Sequence, residues 1–201
     1  MDTKIKAIRA FIAIKLPDEI RQKLDEIEKE IQMRAGESAH KAVRWVPASN
    51  MHLTLKFLGE VSAGYLQTLS GMVQNEAARH AAFEFRIAGL GAFPNIRRPR
   101  VIWVGAEAHT RLTALQKAIE SGANSLGYPP EERPYSPHLT LGRISQNARP
   151  EEIAQVARAL QEVKVGELGT VRVNCINLFR SDLRPSGAVY TVLREFPLKD
   201  Q

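Results

Sequence analysis

Two histidines carry the first chemical signal in this sequence. His52-Leu53-Thr54-Leu55 recurs as His138-Leu139-Thr140-Leu141, with His138 standing 86 residues after His52. Side chains alternate faces along a strand, so each His shares a face with its Thr while the leucines take the other. The leucine face is expected against a core, and the His and Thr then point away from it. Imidazole titrates nearest neutral pH, so one neutral and one protonated ring can act together as base and acid. Threonine hydroxyls can donate to the non-bridging oxygens of a phosphate. If the two strands face each other across a cleft, the four side chains suit the opening of a cyclic phosphodiester. One imidazole would activate water, and the other would protonate the departing oxygen. A lone His-x-Thr is common. The weight comes from its repetition, because a purely structural strand has no need of the same outward polar pair in both copies.

Other chemistries find less support. There is no His-Glu-x-x-His and no clustered Cys and His that could add a third zinc ligand, so no metal or other cofactor is expected. The single cysteine, Cys175, excludes an internal disulfide and a multi-cysteine zinc site. It lies in the apolar pattern Val171 to Leu178 and is read as a small buried side chain. His40, His80 and His109 fall in expected loops or helix ends and are read as exposed.

The elements around the two motifs repeat as well. Ala10 to Ile14 reads as a buried strand. Pro17-Asp18 opens a charged amphipathic helix with Ile20, Leu24, Ile27 and Ile31 at helical spacing. The first His-Leu-Thr-Leu strand, a helix over Tyr65 to Arg79 and a strand over Phe83 to Ala92 follow. The second half has a strand at Val101 to Val104, a helix marked by Leu112, Leu115 and Ile119, and the second His-Leu-Thr-Leu strand. Then come a helix from Pro150, a strand from Val171 to Phe179 and a last strand from Val189 to Phe196. The 86-residue spacing also maps Phe93 onto Phe179, and Tyr65–Arg79 onto Glu151–Val165. The expectation is an α+β fold over residues 1–201: one bilobal domain of two intertwined lobes. A pseudo-twofold axis would relate two mostly antiparallel sheets lining a central cleft, with helices outside.

Composition sets the bounds. The 201 residues are 44% hydrophobic and 25% charged, as in an ordinary globular protein. No apolar run is long enough to span a membrane. Met1 to Lys6 lacks the apolar core of a secretory signal, so a cytoplasmic location is expected. The net charge of +6 favours phosphate-bearing partners. Its densest cluster, Arg97-Arg98-Pro99-Arg100, reads equally as a guide for RNA and as a solvated turn.

The two His-x-Thr-x motifs resemble those of the two-histidine (2H) phosphoesterase superfamily. The closer resemblance is to its RNA 2′,3′-cyclic phosphodiesterases, also called 2′-5′ RNA ligases. Phe11-Ile12-Ala13-Ile14, Arg44-Trp45-Val46-Pro47 and His52 to Gly59 look like family segments. So do Pro137 to Arg143 and Leu178-Phe179-Arg180-Ser181, and together these span nearly the whole chain. The family usually has Ala where Gly142 stands. The resemblance implies a bilobal fold with the site between the lobes. It also implies hydrolysis of a cyclic ester at an RNA or nucleotide end to a 2′-phosphate; the sequence itself shows no sign of an obligate protein partner. His52 then matches the general acid and His138 the base, a division that the symmetric motif cannot make by spacing. Thr54 and Thr140 match the phosphate-binding threonines. Phe57 and Arg143, each five residues after its His, match positions near substrate. In a regular strand that odd offset puts both on the face opposite the His, so a bulge or strand end must intervene. Arg143 is read as a phosphate contact, since a guanidinium matches phosphate geometry; a core position explains Phe57 equally well. Lys56, at an even offset, is expected to face the cleft. RNA end joining in the same cleft and a non-catalytic RNA-binding module are the alternatives.

Overall fold

The computed structural model describes residues 7–107, 110–185 and 187–200. The segment Met1 to Lys6 and His109 therefore lie outside the described residues. Two antiparallel sheets organise the chain. The first has the strand order β3-β1-β8-β9, with β1 Ala7–Lys15, β3 His52–Ser62, β8 Cys175–Arg184 and β9 Gly187–Pro197. The second has the order β2-β6-β5-β4-β7, with β2 Val43–Trp45, β4 Phe83–Phe93, β5 Val101–Ala106, β6 His138–Ile144 and β7 Glu167–Val173. The expected α+β class is what the chain adopts.

The halves exchange strands. β4, from the first half, pairs with β5 in the second sheet, and β8, from the second half, pairs with β1 in the first. Both pairings place the repeated phenylalanines alike: Phe93 lies opposite Val101, and Phe179 opposite Phe11. The expected single strand from Val171 to Phe179 is in fact two, in different sheets. Val171 and Val173 are buried and then Ile176 and Leu178, so the alternation changes phase at Asn174. A change of phase in a period of two means that the chain has turned to bury its other face. Of the two repeated helices, the first ends at Arg79 as the pattern suggests, and the second ends earlier, at Glu162.

Helices cover the outer faces. α1 (Asp18–Ala35) buries Ile20, Leu24, Ile27 and Ile31 as their spacing predicts, and it packs on β7 and on α2 (Glu37–Lys41) and α5 (Pro150–Glu162). α3 (Leu66–Arg79) and α4 (Thr110–Ser125) pack together over β9, β8 and β3 of the first sheet. Their apolar faces and the inward leucines of β3 and β6 belong to one continuous core. A second, small cluster lies on the other face of the first sheet: Phe11, Ala13 and Phe179, with Tyr190 and Val192 against them. No helix among the described residues is long and apolar enough to cross a membrane.

The strands that carry the histidines share one irregularity. β1 pairs Ile12 with Lys56 and Ala13 with Thr54, so Leu55 is an extra residue in β3. β5 pairs Ile102 with Gly142 and Trp103 with Thr140, so Leu141 is an extra residue in β6. Each is a bulge three residues after its His, and a bulge breaks the alternation of faces. Leu55 and Lys56 are both buried, as are Leu141 and Gly142, while Phe57 and Arg143 turn out to solvent. Close packing holds the second bulge: a Cβ on Gly142 would lie 2.8 Å from Cγ1 of Val43.

Candidate active site

His52 and His138 stand at the first positions of β3 and β6, and these two strands approach each other where the sheets meet. The Tyr135 hydroxyl, just before β6, donates to the Thr54 carbonyl at 3.1 Å across that seam. Leu53 and Leu139 are fully buried, whereas His52, Thr54, His138 and Thr140 are half-buried on the opposite side. The alternation therefore runs as the residue types require.

Both rings are held in the same way. Nδ1 of His52 lies 2.7 Å from the Asn50 carbonyl, and Nδ1 of His138 lies 2.7 Å from the Ser136 carbonyl. A carbonyl can only accept, so each Nδ1 carries a hydrogen and donates it. Each Nε2 is left as the working nitrogen: a lone pair when the ring is neutral, an N–H when it is protonated. The Asn50 side chain in turn donates to the Ala188 carbonyl of β9 at 2.7 Å, which ties the loop before His52 to its sheet.

Aromatic rings form the walls. Phe11 stacks on His52 at a centroid distance of 4.6 Å, Tyr190 meets it edge-on at 5.2 Å, and Phe179 lies at 5.9 Å. Phe93 meets His138 edge-on at 5.0 Å, with Trp103 at 6.4 Å. This apolar surround penalises an imidazolium. Burial pushes His52 down to about 4, against which the Asn50 carbonyl acts weakly. Burial also lowers His138, assisted by the nearby Arg143 charge. The Arg143 charge reaches Tyr190 as well, opposing the upward push of burial on that phenol. The charge of Arg143 in the second sheet is thus felt both at His138 and at Tyr190, a residue that touches His52.

Phe57 and Arg143 reach this face through the bulges. Phe57 is 51% exposed and its ring is 5.9 Å from that of Phe11. Lys56 does not reach it. The bulge turns its stem into the core, where it is 3% exposed, pairs with Glu120 of α4 and donates to the Pro129 carbonyl at 2.6 Å. His40 and His80, expected to be exposed, are half-buried, and Cys175, expected to be buried, is half-exposed. Reasoning from sequence missed Tyr190, Trp103 and the site role of the two phenylalanines. The repeat of Phe93 as Phe179 was the available signal, since each copy flanks one histidine. No group of three His, Cys, Asp or Glu among the described residues could hold a metal ion.

The 2′-5′ RNA ligase superfamily is matched over residues 16–183. The chain belongs to that family. It is 35% identical to an RNA 2′,3′-cyclic phosphodiesterase of Methanothermobacter thermautotrophicus over 95% of this chain and 99% of the relative. It is 30% identical to a protein of the same name from Aquifex aeolicus, over 96% and 99%. Among solved structures, TT0787 of Thermus thermophilus superposes with a TM-score of 0.78 at 31% identity, covering 96% of this chain and all of that one. LigT of E. coli in complex with 3′-AMP gives 0.74 at 30% identity, over 96% and 99%.

Proposed function

We propose that this family member is an RNA 2′,3′-cyclic phosphodiesterase that hydrolyses cyclic ends to 2′-phosphomonoesters. The observation that carries the reading is the pair of half-buried imidazoles, one at the start of each of two neighbouring strands, each fixed through Nδ1 so that Nε2 is left as the working nitrogen. The relatives' shared name and the LigT complex with a nucleotide support the substrate class. The water oxygen attacks phosphorus, Nε2 of His138 takes the water proton, and the P–O3′ bond breaks. Nε2–H of His52 then protonates the O3′ leaving oxygen. Two imidazoles on opposite sides of the phosphorus fit an in-line displacement. Thr54 and Thr140 hydroxyls donate to the non-bridging oxygens, and Arg143 supplies a positive charge to the same phosphate. Phe57, exposed at the rim, offers its ring face to the terminal base. The acid and base are assigned by family pattern; both rings have the same tautomer, so the local hydrogen bonds serve either role. The test is incubation with a 2′,3′-cyclic-ended oligonucleotide and mapping of the product phosphate. A 2′-phosphate is expected, and a 3′-phosphate or no turnover would overturn the reading.

The lowered basicity of both rings sets a pH dependence. At pH 7 the free protein holds His52 and His138 neutral, whereas the mechanism needs one imidazolium. Falling pH supplies it, so kcat/KM is expected to peak on the acid side of about 6.5, the ordinary imidazole value. A bound anionic phosphate favours the imidazolium, so the maximum of kcat should lie at higher pH than that of kcat/KM. Profiles of both constants over roughly pH 4 to 9 measure this. A kcat/KM maximum above about pH 7.5 would show that some other group donates the proton.

A further inference from the structure

The second sheet holds a groove of about 960 Å³ lined by Lys41, Arg44, Arg100 and Arg143 and by no acidic residue, and Arg143, whose charge is felt at His138, links it to the site. Three of these cations are neighbours by register. Arg44 of β2 lies directly opposite Arg143 of β6, and Arg143 lies opposite Val101, the residue after Arg100. All three arginines are exposed, and none forms an ion pair among the described residues, although many of the other described cations do. Lys41 is paired with Glu37 at 2.6 Å. Like charges directly opposite on adjacent strands repel each other. Arg44 and Arg143 on paired strands, with Arg100 leading into β5 on the same groove, make a standing positive field that an anion would relieve. Arg97 and Arg98 stand in the same β4–β5 turn as Arg100, outside the groove lining. That turn is ordered, because the Asn95 side-chain oxygen accepts from the Arg97 and Arg98 backbone amides at 3.1 and 3.0 Å. Arg100 also closes the hairpin through its amide to the Phe93 carbonyl at 2.7 Å.

We propose that this groove binds the internal backbone phosphates of the RNA strand that leads to the cyclic end, so that the chain acts on oligonucleotides in preference to cyclic mononucleotides. The inference rests on the cyclic-end activity proposed above. A 2′,3′-cyclic phosphate terminates the strand, so every other phosphate lies on its 5′ side. A strand whose end is held at Arg143 has to leave the site along one neighbouring surface, and the arginine groove, which Arg143 itself lines, is a surface of matching charge. Arg143 contacts the reactive phosphate, while Arg44 and Arg100 take the next phosphates inward. The groove walls carry charge and polar groups with no aromatic ring to stack a base, so this site reads the backbone and is indifferent to sequence.

The test uses cyclic-ended oligoadenylates of one to six nucleotides with the full chain and the double variant Arg44→Gln, Arg100→Gln. For the unaltered protein kcat/KM should rise with length and level off within a few nucleotides. The double variant should lose about 10–100-fold on the longer substrates, as expected for two charge-assisted contacts. Its loss should be confined to them, and the slope of log(kcat/KM) against log[salt] should flatten by about 1.4. Equal losses on the cyclic mononucleotide and the hexamer, or no loss on either, would overturn the proposal. Fluorescence anisotropy with a 2′-phosphate-ended hexamer separates this inference from the activity. If cyclic ends are not turned over but hexamer affinity still depends on Arg44 and Arg100, the activity reading fails and the groove stands. If turnover is present but affinity is unchanged in the variant, the groove reading fails alone.

Discussion

Replacing His138 with alanine is expected to lower cyclic-end hydrolysis by about 10³–10⁴-fold, the upper range for loss of a positioned acid or base. His52→Ala should fall in the same range. The double variant should be scarcely worse than either single one, because the two rings act in one step and their losses do not add. The fold should survive. His138 is half-exposed and makes one local hydrogen bond, to the Ser136 carbonyl, so its removal opens no core cavity. His52→Ala uncovers the Phe11 and Phe179 rings and should lower the melting temperature slightly, while circular dichroism stays unchanged. Thr54→Ala and Thr140→Ala should cost less than either histidine, since each removes one donor to phosphate and no proton-transfer group. Near-normal turnover in His138→Ala would end the paired-histidine mechanism. An unfolded His138→Ala would mean that the ring is a structural element of β6.

Much of this arrangement is legible in the sequence because it depends on periodicity. The inward leucines, the outward His and Thr, and the helix face of Ile20, Leu24, Ile27 and Ile31 all follow from spacings that the backbone geometry imposes. The repeat of the tetrapeptide by itself implies two equivalent strands. Three things are less accessible. Strand exchange between the halves is visible only as a change of phase near Asn174, since pairing partners come from topology. The bulges at Leu55 and Leu141 leave no mark in composition, and they reverse the faces of Lys56, Phe57 and Arg143. The need for such a break can be inferred for Arg143, because a guanidinium has little reason to enter a core; its consequence for Lys56 is visible only in the packing. Tyr190 and Trp103 lie on strands far along the chain from either motif, and their role follows from packing alone. The Arg97–Arg100 cluster reads in sequence as either RNA guide or turn. It is an ordered turn, and Arg100 enters a charged groove because β5 pairs with β6.

The misread lysine gives the largest expected effect on stability. Glu120→Ala should destabilise the fold by about 3–5 kcal/mol, the range for removing one partner of a buried ion pair. Lys56 is 3% exposed and has two acceptors, the Glu120 carboxylate and the Pro129 carbonyl. Without Glu120 its ammonium keeps one neutral acceptor in a core that cannot solvate it. The same carboxylate also accepts from the Glu131 amide at 2.9 Å and from the Gln116 side chain at 3.1 Å, so the Glu131 amide loses this acceptor and Gln116 keeps only the Leu55 carbonyl, at 3.5 Å. Lys56→Met should cost much less. It removes the buried charge and keeps an unbranched apolar stem of similar length, and Glu120, whose side chain is 17% exposed, retains its other two donors and access to water. The order of effects therefore distinguishes a buried charge that needs a partner from a pair that simply adds attraction. Urea unfolding of the two variants, compared at constant m-value, measures it. A smaller loss for Glu120→Ala than for Lys56→Met would show that the ammonium finds another partner and that the pair does not hold the bulge. Because that bulge is what turns Phe57 outward, Glu120→Ala should also weaken substrate binding, raising KM more than it lowers kcat, with His52 still anchored to Asn50.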